Sequence, residues 1–387
     1  KLHYLCFQYS FLIQKENIMK KTLAAVAVLG AFAGSALAAD VALYGRVDTG
    51  LKYTHTDLDN GADSKDDWGM SSGNMTGSRW GIKGSEDVAE GVTVGFQLEQ
   101  GFNPDTGKFG DDTRMFNRES RVYVTTGFGE VAFGRMARLA SDAGGYSMRG
   151  NFIGGSSWGS MTIGTEVVFA KTDSRLDNMV TYKSPEFAGV TVLAQYGMGD
   201  DGLGLENTSK TDRYAGIGAL GNWGALTAGL IVESTNYASF GTAAKDKPSD
   251  DSLSVEAGVA YDFGVAKVGA TAQYFQDAVG VKEISGSNAN KLLFGNGADG
   301  YGLKLAVAAP AFGGEAQAAV GYMDAEDADV SDREFSRYTV GATYKYPLSK
   351  RTFLYSAASY TKDDIDNAGV STKPSYTEFM AGLAHYF

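Results

Sequence analysis

Cysteine is almost missing from this chain: one residue in 387, Cys6, and it lies in a stretch that reads as removable. A lone cysteine leaves no intrachain disulfide, and it excludes thiolate metal sites with their paired spacing. Histidine is nearly as scarce. Beyond residue 38 only His55 and His385 carry an imidazole, and neither has a nucleophile elbow, a phosphate loop or metal-ligand spacing beside it. Acid–base or triad chemistry needs such a group poised near its partner, so catalysis is not expected. Proline is limited to six residues. Long hydrophobic runs are missing too: the apolar stretch from Leu23 to Phe32 falls short of the roughly 20 residues a membrane-spanning helix requires. Cations are outnumbered, 34 Lys and Arg against 46 Asp and Glu, and a net charge of -12 argues against a nucleic-acid partner.

The short apolar stretch has another use. Met19, the pair Lys20-Lys21, the run to Phe32 and then Ala36-Leu37-Ala38 form the charged, apolar and small-residue regions of a secretory signal peptide, with cleavage between Ala38 and Ala39. Residues 19–38 are therefore expected to be removed, and 1–18 read as a leader translated from upstream of the true start. The remaining 349 residues, 39–387, form one domain. Its net charge is -15, because residues 1–38 carry four cations and one anion. That domain has no cysteine, so its stability has to come from backbone pairing.

What is plentiful is glycine (51), tyrosine (21) and phenylalanine (21). Segments of about ten residues alternate in hydrophobicity and are parted by turns, the pattern of a membrane β-barrel. Val41, Leu43, Val47 and Leu51 share one face of the first, with Tyr44, Arg46, Asp48 and Lys52 on the other. Sixteen such segments can be traced, from 41–53, 77–86, 91–102 and 116–127, through 178–184, to 336–347, 351–362 and 376–387. Their connections alternate between short and long. Short periplasmic turns and long extracellular loops produce that rhythm. The first long loop is acidic and reads as solvated, with divalent bridging to lipopolysaccharide open to it. Tyr196, Tyr237, Tyr274, Tyr322, Tyr346 and Tyr360 lie near strand ends and read as interfacial girdles.

The connection from Arg135 to Asn178 is different, some forty residues rich in Gly, Ser and Met. Loops this long are functional or disordered. In a wide barrel the economical place for one is inside the lumen. The last twelve residues, Tyr376 to Phe387, alternate and stop on an aromatic. Phe387 reads as a closing-strand signal to the barrel assembly machinery.

Several motifs appear in order along the chain: Leu43-Tyr44-Gly45-Arg46, the run Ser78 to Asp87 (SRWGIKGSED), Phe96-Gln97-Leu98-Glu99, Phe116-Asn117-Arg118, Asn178 to Pro185 (NMVTYKSP) and Gly382 to Phe387 (GLAHYF). Jointly they resemble the Gram-negative general diffusion porins, nearest the β-proteobacterial and neisserial branch. The resemblance implies an all-β fold, a 16-stranded antiparallel transmembrane β-barrel with an inward-folded third loop, forming homotrimers in the outer membrane among lipids and lipopolysaccharide. It implies passive diffusion of small solutes and ions, without a cofactor or metal. Carried over by motif, a basic ladder at the constriction falls on Arg46, Arg79, Arg118 and Arg175. Strand parity turns Arg46 and Arg79 toward water. Arg118 shares parity with the apolar Val122 and Val124, so either a bulge resets its register or its strand lines a subunit contact. The family often places an acid before Phe152-Ile153-Gly154-Gly155, and here Asn151 stands there. Asp142 and Glu166 are the expected facing acids. With the other acids clustered in loops, the constriction is expected to lean toward anions. A substrate-specific channel, to which Phe152 and Trp158 would contribute, and a plugged adhesin are the alternatives.

Overall fold

The computed structural model describes residues 41–141, 144–149, 165–170, 175–199, 206–239, 248, 250–281 and 297–387. The leader and signal segments lie outside these residues. Nineteen strands are formed among the described residues: β1 (Ala42–Asp57), β2 (Lys65–Ser72), β3 (Arg79–Ala89), β4 (Val92–Asn103), β5 (Lys108–Phe109), β6 (Glu119–Thr126), β7 (Gly129–Ala137), β8 (Arg175–Lys183), β9 (Val190–Gly197), β10 (Arg213–Trp223), β11 (Leu226–Asn236), β12 (Ser252–Asp262), β13 (Lys267–Gln276), β14 (Ala298–Ala311), β15 (Gly314–Asp327), β16 (Arg333–Pro347), β17 (Thr352–Asn367), β18 (Val370–Thr372) and β19 (Ser375–Tyr386). β1 pairs with β3 along its lower half and with β2 along its upper half, so β2 and β3 make one interrupted strand. β5 and β18 are short additions to loops. The wall is therefore sixteen-stranded. Each strand is antiparallel to its neighbour, and β19 closes the ring by pairing with both β17 and β1. No unpaired edge is left in the membrane, the condition for a sheet to span it.

The period of two decides what each face carries. Along β14 to β17 burial alternates almost residue by residue, with Lys304, Gln317, Arg337, Thr339 and Asp363 turned inward and Leu303, Leu305, Val320, Val340 and Leu354 outward. Polar inside and apolar outside is the arrangement a lipid-facing barrel requires. Tyr274 pairs across the strands with Tyr301, and Tyr322 with Tyr338, forming a band of outward tyrosines on neighbouring strands. At the opposite end Phe128, Phe187, Phe263 and Phe312 project from the short turns, Phe312 with 95% of its surface exposed. Tyr237 departs from the girdle expectation. It follows the end of β11, so alternation no longer governs it, and it is buried with its hydroxyl donating to the Asp277 carbonyl at 2.9 Å.

Several strand boundaries differ from the sequence reading, and β2 forms within the expected first loop; beside the arginines, β6 starts at Glu119 and β8 already at Arg175. The shift at β6 removes the parity conflict at Arg118. This residue sits in a bend ahead of the strand, anchored by its N–H to the Glu99 carbonyl at 3.2 Å, while Arg121 takes the lumen face and Val122 the outer one.

Among the described residues the buried apolar clusters lie inside the barrel, in three patches, each where an inward-folded segment meets the wall. Leu139, Tyr146 and Met148 pack on Met136, Met179, Tyr214 and Ile231. Val168 and Phe169 pack on Phe275, Met323 and Phe335. Met75 packs on Phe353, Tyr355, Met380 and Ala384. The first two patches belong to the loop between β7 and β8, which thus folds inward. The glycine at 302 on β14 makes room for it: a side chain there would strike the carbonyl of Val168.

Barrel closure places Phe387 against Gly45. Their backbones exchange hydrogen bonds of 3.1 and 3.0 Å. A Cβ at Gly45 would overlap the Phe387 ring and come within 2.6 Å of the Arg79 carbonyl oxygen. Gly45→Val is expected to destabilise the closed barrel by at least the usual overpacking cost of about 1–3 kcal/mol. Urea unfolding in lipid vesicles, followed by heat-modifiable gel mobility, measures the loss.

Candidate functional site

The lumen holds the charged groups, and their placement follows from strand parity and from the path of the inward loop. Leaving β7, the loop first runs along β10, β11 and β12. Ala140 N–H donates to Glu233 at 3.0 Å, Tyr214 hydroxyl donates to the same carboxylate at 2.5 Å, and the Arg138 guanidinium lies 4.2 Å above the Tyr214 ring. Arg149 then grips Glu256 with Nε 2.8 Å from both carboxylate oxygens, and Glu256 has 0% of its surface exposed. The second limb, around the 3-10 turn Thr165–Val168, crosses β13 to β16. Gln273 receives the Ala170 N–H at 2.8 Å and returns a hydrogen bond to its carbonyl at 3.2 Å. Arg337 donates to the Val167 carbonyl at 3.0 Å while it clasps Asp363 at 2.7 and 2.8 Å. Charge-assisted, two-pronged contacts of this kind fix orientation as well as position.

The arginines gather on the facing wall. Arg46 on β1 and Arg79 on β3 are directly opposed in the strand register. Arg79 reaches Glu99 at 3.5 Å, and Arg118 donates from Nε to the same oxygen at 2.7 Å. Arg79 is within Coulombic range of Arg46, Arg118 and Arg175 together. Arg175 opens β8 opposite Ala137, within range of Arg118, Arg135, Glu99 and Glu119. All four arginines expected from the motifs thus converge. Two more lie beside them. Arg135 binds Asp177 at 2.7 Å, and Arg121 lies 4.1 Å above the Tyr146 ring, whose hydroxyl donates to Glu130 at 2.6 Å. Among the described residues the carboxylates on this wall are Asp48, Glu99, Glu119, Glu130 and Asp177, fewer than the six guanidiniums around them.

A family model described as Gram-negative porin matches residues 24–366. The chain belongs to the Gram-negative porin family. Outer membrane porin protein 32 of Delftia acidovorans is 28% identical to this porin over 391 residues, covering 95% of this chain and 100% of that protein. An outer membrane porin protein of Bordetella pertussis is 36% identical over 197 residues, 47% of this chain and 48% of that protein, so the chain spans about half the length of this relative. The solved structure of the anion-selective porin from Comamonas acidovorans superposes with a TM-score of 0.63 at 25% identity, covering 90% of this chain and all of that one. These relatives are porins, channel proteins rather than enzymes, and this porin is a protein of the outer membrane.

Among the described residues, the acids beside the arginines belong to the wall. Glu99 and Glu119 belong to β4 and β6, and their signal was available: Glu99 shares parity with Gln97, opposite Phe96 and Leu98. Asp142 and the side chain of Glu166 lie outside the described residues, as do Phe152 and Trp158. The ion pairs that hold the loop, Arg149 with Glu256 and Arg138 with Glu233, join residues far apart in the chain and had no sequence signature.

Removing one partner of a buried ion pair strands the other and costs about 3–5 kcal/mol. Glu256→Gln keeps the size of the side chain and cancels its charge. The first limb of the inward loop is expected to detach, seen as new protease cleavage between 137 and 175 and as flicker in the open-channel current, both absent from the parent protein.

Proposed function

We propose that this porin forms a water-filled channel for passive diffusion of small hydrophilic solutes and ions, and that its constriction favours anions. The observation that carries the reading is the convergence of Arg46, Arg79, Arg118 and Arg175 on one wall, which the first limb of the third loop touches through Gly145 and Tyr146, with fewer carboxylates than guanidiniums among the described residues there. Guanidiniums stay charged at any pH the cell meets, so the wall holds a permanent positive potential. In a narrow passage such a potential concentrates anions and raises a barrier to cations. Acidic loops outside do not cancel it, because exposed charges more than about 8–10 Å away are screened by physiological salt. The likeness to the Comamonas acidovorans porin, whose description is anion-selective, points the same way.

The rest of the reading follows the family. The barrel 39–387 assembles as a homotrimer after cleavage of 19–38 and sits among outer-membrane lipids and lipopolysaccharide. Its final strand, ending in Phe387, engages the barrel assembly machinery. The constriction is completed by Asp142 and Glu166 of the third loop. Transport needs no cofactor.

Reversal potentials in a salt gradient across a planar bilayer test the sign. Anion selectivity is expected for the parent channel, with a shift toward cations for Arg79→Glu and for Arg175→Glu. A cation-selective parent, or no shift in either variant, rejects the reading. Liposome swelling with sugars of graded size is expected to show a smooth cutoff. Saturation by one solute would mark a substrate-specific channel instead.

A further inference from the structure

Between β2 and β3 lies an irregularity that the sequence pattern does not announce. Register pairs Thr49 with Ser72 and Arg46 with Arg79, so two residues of β1, Val47 and Asp48, face six residues of the other strand, 73–78. The surplus is folded into the lumen. Asp48, with 0% of its surface exposed, receives the N–H groups of Met75 and Thr76 at 2.8 and 2.7 Å on one carboxylate oxygen and the Tyr355 hydroxyl at 2.6 Å on the other. Ser78 Oγ replaces the missing ladder bonds, accepting from Asp48 N–H at 2.9 Å and donating to its carbonyl at 3.1 Å. Met75 passes over β1 and packs on lumen-facing residues of β17 and β19. A six-residue bulge is thus clamped to the inner wall by a single aspartate.

The bulge touches two of the four converging arginines and lies beside a third. Arg46 donates to Thr76 Oγ1 at 2.5 Å, and Arg79 reaches the same oxygen at 3.4 Å. Arg79 Nε donates to the Gly77 carbonyl at 2.9 Å. A Cβ on Gly77 would stand 3.3 Å from a terminal nitrogen of Arg118, so the missing side chain leaves that guanidinium its place. Long arginine side chains lose rotamer freedom when they are held, and fixed acceptors set where the charge sits.

We propose that the segment 73–78 is a second constriction element, separate from the third loop, and that Thr76 is a positioning residue for channel selectivity. Its hydroxyl holds Arg46 and Arg79 together at one height in the lumen, and Asp48 fixes the segment that carries it. This rests on the arginine wall being the selective part of the channel, and the test separates the two claims. The domain 39–387 has no cysteine, so Thr76→Cys gives a single thiol. Bilayer recordings before and after treatment with a negatively or a positively charged methanethiosulfonate reagent are the measurement, with Arg79→Gln as the reference.

Both reagents are expected to lower the conductance of the Thr76→Cys channel. They should move the reversal potential in opposite directions, the negative one toward cation permeation. Thr76→Ser should keep the parent selectivity and Thr76→Val should shift it toward that of Arg79→Gln. If Arg79→Gln shifts selectivity while the reagents change neither conductance nor reversal potential, the bulge is not part of the constriction and the inference is overturned. If the reagents act but Thr76→Val and Thr76→Ser both match the parent, the positioning role of the hydroxyl is overturned. An Arg79→Gln channel with unchanged selectivity rejects the arginine wall itself, and the proposal with it.

Discussion

In hydrocarbon an unpaired backbone N–H or C=O costs several kcal/mol, so a chain that crosses a membrane as strands has to close its sheet. Everything else in this porin depends on that closure. Once β19 pairs with both β17 and β1, every strand has one face turned outward and one turned to the interior. The alternation of side chains then sorts the sequence without further instruction: Leu303, Leu305 and Val340 outward, Lys304, Arg337 and Thr339 inward. A soluble protein hides its apolar residues in the centre. Here the centre is where charge accumulates.

Among the described residues two segments enter this charge-lined interior. The loop between β7 and β8 is held by three kinds of contact: buried ion pairs to Glu233 and Glu256, side chain to backbone bonds at Gln273 and Arg337, and apolar patches around Met148 and Val168. Buried ion pairs are weak sources of net stability, because desolvation offsets much of the attraction, but they are strict about geometry. That property suits a loop whose place in the lumen matters more than its contribution to folding. The bulge at 73–78 uses a different device, one aspartate that accepts hydrogen bonds from two backbone amides and a tyrosine.

Much of the wall was legible beforehand, for a physical reason. A period of two, short turns and terminal aromatics are local consequences of a lipid-facing sheet, and they survive in any sequence that has to alternate. Arg46 and Arg79 could be turned inward by parity alone. Arg118 could not, because it lies in the bend before Glu119, where parity has no meaning. Tyr237 failed as a girdle residue for the same reason, one position past the end of β11. Glu99 and Glu119 sit on lumen faces that strand parity makes readable.

By itself the sequence determined the fold class, the strand count, the inward face of the regular strands and, through it, the lumen side for Arg46 and Arg79. These follow from local alternation, which depends only on neighbouring residues. Only the tertiary structure decided which charges meet. Arg149 and Glu256 are more than a hundred positions apart, Asp48 and Tyr355 more than three hundred, and the register that brings them together is set by the closure of the whole ring. The bulge between β2 and β3 belongs to this second class. Its four surplus residues become visible only when Arg46 is placed opposite Arg79 and Thr49 opposite Ser72.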